Sequence, residues 1–335
     1  MIARRLRASL KGWGGVGAIL LACVLAVGLT LLLPLAHPRP GGGSTGTGGP
    51  RVAMADQAKA GSCGAHPERL SPPPSGDESG PAVTAIKARG YVSVGVDQNS
   101  YRWGYRDPNK KGSDLEGFDI DLAHEIARRI LGDPGAVRFH AIPTNQRVFA
   151  VQHHQVDMVV RTMTITCDRL DDVAFSDPYF TTGQQVLAPK ASDITGYDGS
   201  LAGKRVCSAQ GSTAAAALAQ DQRSGKLPAS TDISTAVPNQ LDCLVALQLG
   251  EVDAVVTDGA LAASQAAQDP TVELKGKPFT TEYYGVAMNK DDVDLVRRVN
   301  QVLVDYRASG WGASYAKWLS PTLGADSASS RPPSS

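Results

Sequence analysis

From residue 81 onward the chain alternates short apolar runs with amphipathic stretches, the strand–helix alternation of an α/β fold. The pattern predicts a helix over 82–89 closed by Gly90, then a strand over 91–96. A loop over 97–111 follows, carrying Trp103 and Tyr105 and a turn at Asp107-Pro108-Asn109. A helix over 120–131 and a strand over 137–142 come next. Thr144 is placed to cap a helix running to Gln152. A buried strand then ends near Val160, with short strands at 173–176 and 184–188. The alternation restarts with a strand over 203–209 and an Ala-rich helix opened by Gly211-Ser212-Thr213. Asn239 caps a helix through Leu249, and a strand over 252–256 ends in Thr257-Asp258. A single strand over 283–288, a strong amphipathic helix over 292–308 and a short helix over 313–318 complete the pattern. This last part has no partner strands of its own in sequence, so it is expected to cross back and complete the first half.

The second half echoes the first. Residues 151–160 (VQHHQVDMVV) line up with 247–256 (LQLGEVDAVV), with Gln, Val-Asp and Val-Val coinciding. Each copy reads as a helix, a tight turn and a buried strand, and each strand ends in a polar cluster, Arg161-Thr162 in one and Thr257-Asp258 in the other. Two similar α/β lobes facing each other, with their strand ends in one cleft, follow from this echo.

Charge changes the picture at the amino end. The 335-residue chain has a formal net charge of zero, which leaves no electrostatic footprint for nucleic acid. Yet Arg4, Arg5, Arg7 and Lys11 precede an uncharged run over 13–36, and no acid occurs before Asp56. A helix of that length rises about 36 Å and can cross a hydrocarbon core of about 30 Å. The basic flank predicts an amino terminus inside and the bulk outside. Three forms of export fit: an uncleaved anchor, a lipoprotein signal with Leu20-Leu21-Ala22-Cys23 as lipobox, and a signal cleaved near Ala53-Met54-Ala55. All place the body at the extracytoplasmic face of the cell membrane. Residues 37–81 are rich in Pro, Gly and Ser and read as a flexible tether whose far end Cys63 can pin to the folded body; the tail from 323 reads as disordered. Cys63, Cys167, Cys207 and Cys243 form an even set in an exported chain, and their three possible pairings as two disulfides stay open. Neither their spacing nor the adjacent His153-His154 suits a metal.

The stretch 157–169 (DMVVRTMTITCDR) carries the chemistry. A buried strand whose carboxyl end is crowded with hydroxyls and two arginines suits a small anionic ligand. No G-x-S-x-G, metal constellation or paired acid and base accompanies it, so no enzyme and no cofactor is expected.

Gly117-Phe118-Asp119-Ile120-Asp121-Leu122, the run 163–169, Phe175-Ser176-Asp177-Pro178-Tyr179, residues 201–206, Val252-Asp253-Ala254-Val255 and Tyr315-Ala316-Lys317-Trp318-Leu319 resemble, in the right order over about 82–320, the bacterial family 3 extracellular solute-binding proteins. The cysteine pattern is most similar to the glutamine- and glutamate-binding branch. The resemblance implies a two-lobed, type II periplasmic-binding-protein-like α/β fold with two crossover strands, near Gln184-Gln185 and Tyr283-Tyr284. Lobe 1 would be 82–185 plus 284–322 and lobe 2 would be 186–283. It implies an amino-acid receptor, monomeric and tethered to the membrane, that serves an ABC importer permease; a sensor ectodomain signalling to a membrane protein would use the same binding chemistry. It implies pairing of Cys63 with Cys167 and of Cys207 with Cys243.

Residue by residue, Arg169 matches the arginine that takes the α-carboxylate through its planar fork, with the Thr164 N–H added. Asp258 matches the aspartate for the α-ammonium, helped by the Thr162 carbonyl, unless it merely caps a helix. Gly211, Ser212 and Thr213 offer free N–H groups at a helix start, or a plain cap. Trp103 and Tyr105 match the aromatic that covers the ligand's aliphatic part; for Tyr105 ordinary packing within the lobe is the alternative. Arg161 departs from the small residue of many members, and a second cation there favours glutamate or aspartate over glutamine or asparagine; an ion pair with Asp119 or Asp97 is the structural alternative. Arg102 is a further candidate cation.

Overall fold

Two five-stranded sheets, each flanked by helices, organise the chain. The structure, a computed structural model, describes residues 63–112, 114–325 and 328–332. The chain divides into two units, Met1–Gln57 and Ala58–Ser335, and all described residues belong to the second. Among them no helix is long and apolar enough to cross a membrane. The uncharged run 13–36, Cys23, the Ala53-Met54-Ala55 site and tether residues 37–62 lie outside the described residues.

Helix α1 (Pro81–Arg89) leads into β1 (Val92–Val96), where every residue is buried. A small hairpin, β2 (Asn99–Ser100) and β3 (Gly104–Tyr105), precedes α2 (Phe118–Leu131), whose apolar face is Phe118, Leu122, Ile126 and Ile130. Then come β4 (Val137–Ala141), α3 (Arg147–Gln152), β5 (Met158–Val159), α4 (Cys167–Leu170) and β6 (Ala174–Phe175). Strand β7 (Phe180–Thr182) crosses to the second sheet, which holds β8 (Gln184–Pro189), β9 (Val206–Ala209), β10 (Ala236–Val237), β11 (Ala254–Asp258) and β12 (Val272–Lys275). Helices α5 (Thr213–Ser224), α6 (Gln240–Gln248) and α7 (Gly259–Gln268) accompany it. Strand β13 (Glu282–Tyr284) returns beside β7, β14 (Ala287–Met288) re-enters the first sheet, and α8 (Val293–Ser309) packs on α1 and α2. Helix α9 (Trp311–Ser314), a π-helical turn over Tyr315–Leu319 and α10 (Ser320–Leu323) follow.

The sheet orders are β4-β1-β5-β14-β6 and β10-β9-β11-β8-β12. In each, three parallel strands are followed by one antiparallel strand that belongs to the other half of the crossover. Strands β5 and β11 therefore hold the same place, as the internal echo requires, and the molecule has the two-lobed, type II periplasmic-binding-protein fold with two crossover strands. The repeated Val-Asp has a local cause. Asp157 Oδ2 accepts the Ser93 N–H of β1 at 2.7 Å and pairs with Arg89. Asp253 Oδ2 accepts the Arg205 N–H just before β9 at 2.8 Å and pairs with the Arg205 guanidinium. In both lobes the aspartate before the third strand satisfies an amide at the start of the central one.

The crossovers form a two-stranded antiparallel ribbon in which Glu282 faces Thr182 and Tyr284 faces Phe180. A Cβ on Gly183 would lie 2.0 Å from the Thr280 carbonyl oxygen, so only glycine permits this approach. Phe180 and Tyr284 sit in the first lobe's aromatic core with Trp103, Phe118 and Trp311. The four cysteines that follow the uncharged run pair as Cys63–Cys167 and Cys207–Cys243.

Several expectations need correction. The single strand over 283–288 is two, because its first part belongs to the hinge and its second to the sheet, with the Gly285 N–H donating to Met163 O at 3.0 Å between them. Thr144 does not cap a helix; it opens a 3-10 turn before α3 and its hydroxyl reaches the other lobe. The far end of the tether is held on lobe 1: Ser71 Oγ donates to Phe175 O at 2.8 Å, Asn300 Nδ2 donates to Pro72 O at 2.6 Å, and Glu78 pairs with Arg298 at 2.7 Å. Backbone groups of this Pro-rich segment thus find partners that composition cannot reveal. Part of the tail is also held, as the Thr181 N–H donates to Ser330 O at 2.9 Å.

Replacing Asp157 or Asp253 by Ala is expected to destabilise the chain by about 1–3 kcal/mol each, through an orphaned strand amide. Urea unfolding checks this; a change below about 0.5 kcal/mol at both sites would refute the account of the repeat.

Candidate functional site

The carboxyl ends of β5 and β11 face each other across the lobe junction. The lobes meet there through Thr144 N donating to Pro238 O at 3.0 Å, Asn145 Nδ2 to Gln210 Oε1 at 3.1 Å and Arg169 Nη2 to Gly211 O at 3.1 Å. A pocket between them is lined by Arg147, Thr162, Thr164, Arg169, Gln184, Ser212, Thr213, Gln240, Thr257 and Asp258. Its free space is about 10 Å³, at the lower limit for one water, so an amino-acid-sized molecule enters only if the lobes part.

The structure brings Arg169, Thr164, Thr162, Asp258, Ser212 and Thr213 together here. Arg169 stands on α4, whose first turn is capped by the Thr166 hydroxyl and fixed by Cys167. Its Nη1 donates to Thr164 O at 2.6 Å. Burial pushes its pKa down, against the pull of Glu282 and Asp258. The Thr164 N–H has no acceptor among the described residues, because Ile165 and Gly285 make the bonds on either side. Thr162 has φ +40, and its N–H donates to Asp119 Oδ2 at 3.0 Å and Tyr179 OH at 3.2 Å. Asp119 is raised to about 7, chiefly by burial. Gly211 has φ +75 and backs onto Asn145 of the facing lobe. The Ser212 hydroxyl accepts the Ala215 N–H at 3.1 Å, a plain helix cap.

Asp258 stands just before α7, yet its side chain does not cap that helix. It accepts from Tyr284 OH and from Gln184 Nε2 instead. Burial, then the charge of Glu282, pushes its pKa up to about 8.

The remaining candidates lie elsewhere. Arg161 is fully buried and paired with Asp97 at 2.8 Å, with Nη1 donating to Thr144 Oγ1 at 3.0 Å and Nη2 to Asn239 Oδ1 at 3.1 Å. Its charge is answered within the protein, so the expectation of a free second cation at this position is corrected. Trp103 has no exposed surface and packs edge-on against Phe180 at 4.8 Å in the lobe core. Tyr105 packs on Tyr101 and Trp318. Arg102 donates to Trp318 O at 3.0 Å. None of these three lines the pocket, since the hairpin β2–β3 turns them towards the first lobe; Tyr101 is the aromatic from this loop that lines a groove with Leu241 and Leu261 of the second lobe.

Four contributors escaped sequence reasoning. Arg147 lines the pocket from α3. Its Nε donates to Thr144 O at 2.9 Å and its Nη1 to Arg161 O at 3.2 Å and Thr162 O at 3.4 Å. Its Nη2 has no acceptor among the described residues. Burial, then the charges of Arg169 and Arg161, push its pKa well down. It shares a helix face with Ala150 and Val151, both buried, and that placement was a readable signal. Glu282, Gln184 and Tyr284 sit on the crossover strands, whose short pattern gives no clue that they face a site.

Among the described residues no group of three or more His, Cys, Asp or Glu could hold a metal ion. The sequence profile of the bacterial extracellular solute-binding proteins, family 3, matches residues 92–321. The ABC transporter glutamine-binding protein GlnH of Bacillus subtilis is 33% identical over 238 residues, 71% of this chain and 84% of that protein. The glutamate-binding protein GluB of Corynebacterium efficiens is 30% identical over 261 residues, 75% of this chain and 84% of that one. Among solved structures, the solute receptor for L-cysteine of Neisseria gonorrhoeae superposes with a TM-score of 0.69 at 27% identity, over 75% of this chain and 99% of the receptor.

Truncating Arg161 to Met is expected to cost about 3–5 kcal/mol by stranding Asp97 in the interior. Adding Asp97→Asn should recover part of it. Urea unfolding of the single and double variants decides; a loss under about 1 kcal/mol for Arg161→Met would show that the pair is not what holds this corner.

Proposed function

The chain belongs to the bacterial extracellular solute-binding proteins, family 3, and we propose that it is an extracytoplasmic, membrane-tethered receptor that captures glutamate or aspartate between its lobes and delivers it to an ABC importer. Capture of an amino acid is in keeping with the names of its relatives, a glutamine-binding and a glutamate-binding protein among them. The observation that carries the ligand's head is the placement of Arg169 on one lobe and Asp258 on the other, lining one pocket. A zwitterion offers each of them its opposite charge. Ligand contacts made to both lobes at once stabilise the closed state over the open one, which is the requirement for ligand-driven closure.

The preference for an acidic side chain rests on Arg147 in place of Arg161. Its guanidinium is buried, spends Nε and Nη1 on carbonyls, and stands beside two further arginines. A ligand carboxylate reaching Nη2 would offset that crowding with a charge-assisted bond; the amide of glutamine or asparagine brings no charge. A micromolar affinity would correspond to about −8 kcal/mol.

A thermal-shift screen against the twenty amino acids tests the reading, because a ligand bound only by the native state raises Tm by mass action. Glutamate and aspartate are expected to give the largest shifts, and Arg147→Met is expected to weaken glutamate about tenfold or more while affecting glutamine less. No shift with any amino acid would overturn the function. Equal calorimetric affinities for glutamate and glutamine would overturn the preference alone.

A further inference from the structure

Glu282 is a buried carboxylate on the crossover strand β13, and it sits just beneath the pocket wall. It accepts from Thr164 Oγ1 of the first lobe at 2.6 Å, from Thr213 Oγ1 of the second at 2.9 Å and from Gln184 Nε2 at 3.0 Å. Three pocket-lining side chains, drawn from both lobes and the hinge, are therefore oriented by one carboxylate. The same Gln184 Nε2 also donates to Asp258 and, at 3.0 Å, approaches Thr213 Oγ1. Two amide hydrogens thus serve three acceptors, and Gln184 Oε1 is buried without a partner. The cluster holds more acceptors than donors, a shortage that one added proton or one ammonium group would relieve.

We propose that Glu282 is a positioning residue that makes ligand capture proton-sensitive: by placing a second negative charge beside Asp258 it keeps a proton there, which the ligand's ammonium must displace. The inference rests on the reading of Asp258 as the ammonium partner. The groups facing Asp258 are Glu282 and Tyr284 from β13, Gln184 from β8, Arg147 from α3 and Arg169 from α4. Burial and Glu282 favour the protonated form; the Tyr284 hydroxyl and the two arginines oppose them, and the balance lies at about 8. Below that pH the O–H bond on Asp258 breaks as the ligand's –NH₃⁺ arrives, and the proton leaves to solvent. Above it the carboxylate is already free.

Calorimetric titration of glutamate into the full chain between pH 5.5 and 9 tests this. Affinity is expected to rise about tenfold per pH unit up to about pH 7.5 and to level off above about 8, the signature of one displaced proton. Glu282→Gln keeps the shape of the side chain and removes the charge. It is expected to flatten the profile and to bind glutamate about tenfold more tightly than the unaltered chain at pH 6, a gain that a residue serving only to hold the fold would not produce. Glu282→Asp keeps the charge while shortening the reach; it should retain the slope with a uniformly weaker affinity. A flat profile in the unaltered chain, or an unchanged slope in Glu282→Gln with a melting temperature like that of the unaltered chain, overturns the proposal. Absence of binding by any amino acid at any pH would instead overturn the receptor reading on which it rests.

Discussion

Charge removed from water has to be answered, and the lobe junction is built around that requirement. Arg147, Arg161 and Arg169 all lie at or beside the end of β5, and each is answered differently. Arg161 has a carboxylate in direct contact. Arg147 has backbone carbonyls. Arg169 has one carbonyl from its own lobe and one from the other, so its second bond exists only while the lobes are together. The acids follow the same division. Asp97 is committed to the fold, while Asp258 and Glu282 share donors from the hinge. Arg161 is held chiefly by a carboxylate of its own lobe, with one further bond to Asn239 of the other, whereas Arg169 and Glu282 take their hydrogen-bond partners from both lobes.

The hinge sets how these groups are arranged. Phe180 and Tyr284 are buried in the first lobe's core while Gln184 begins the second lobe's sheet, so the ribbon is rooted on one side and hands over within a residue or two. The same short segments supply Gln184, Glu282 and Tyr284 to the acid cluster. The crossover geometry and the acid cluster are consequently carried by the same residues.

Much of this was legible in the sequence. The echo of 151–160 in 247–256 located both strand ends, and its Val-Asp proves to be a matched structural device in the two lobes. Thr164, Arg169 and Asp258 were singled out by the strand ends they follow and by the family resemblance, and all three line one pocket. What could not be read has physical reasons. Arg161 was favoured as a second cation for the ligand over an ion pair with Asp119 or Asp97, and the pair with Asp97 is what forms; the choice depends on a contact between neighbouring strands, which no local pattern encodes. Trp103 was taken for ligand cover, and Tyr105 for cover or lobe packing, because an aromatic in a loop looks the same whether it turns outward or back into the core. Glu282 lies in a three-residue strand, too short to show a period. The Pro-rich segment ending at Pro81 was read as unable to order itself, yet Asn300 and Phe175, more than a hundred residues away, supply its partners.

The Cys63–Cys167 bond gives the molecule a defined load path. The backbone from Cys63 to the first lobe runs through the strap over residues 64–80, held by hydrogen bonds and ion pairs. The disulfide bypasses that strap and joins Cys63 directly to the first turn of α4, two residues from Arg169. A pull arriving along the chain from its amino-terminal side therefore enters the folded body at the helix that carries Arg169, and the weaker strap is spared. The point where such a load enters and the wall of the pocket at Arg169 are mechanically almost the same place.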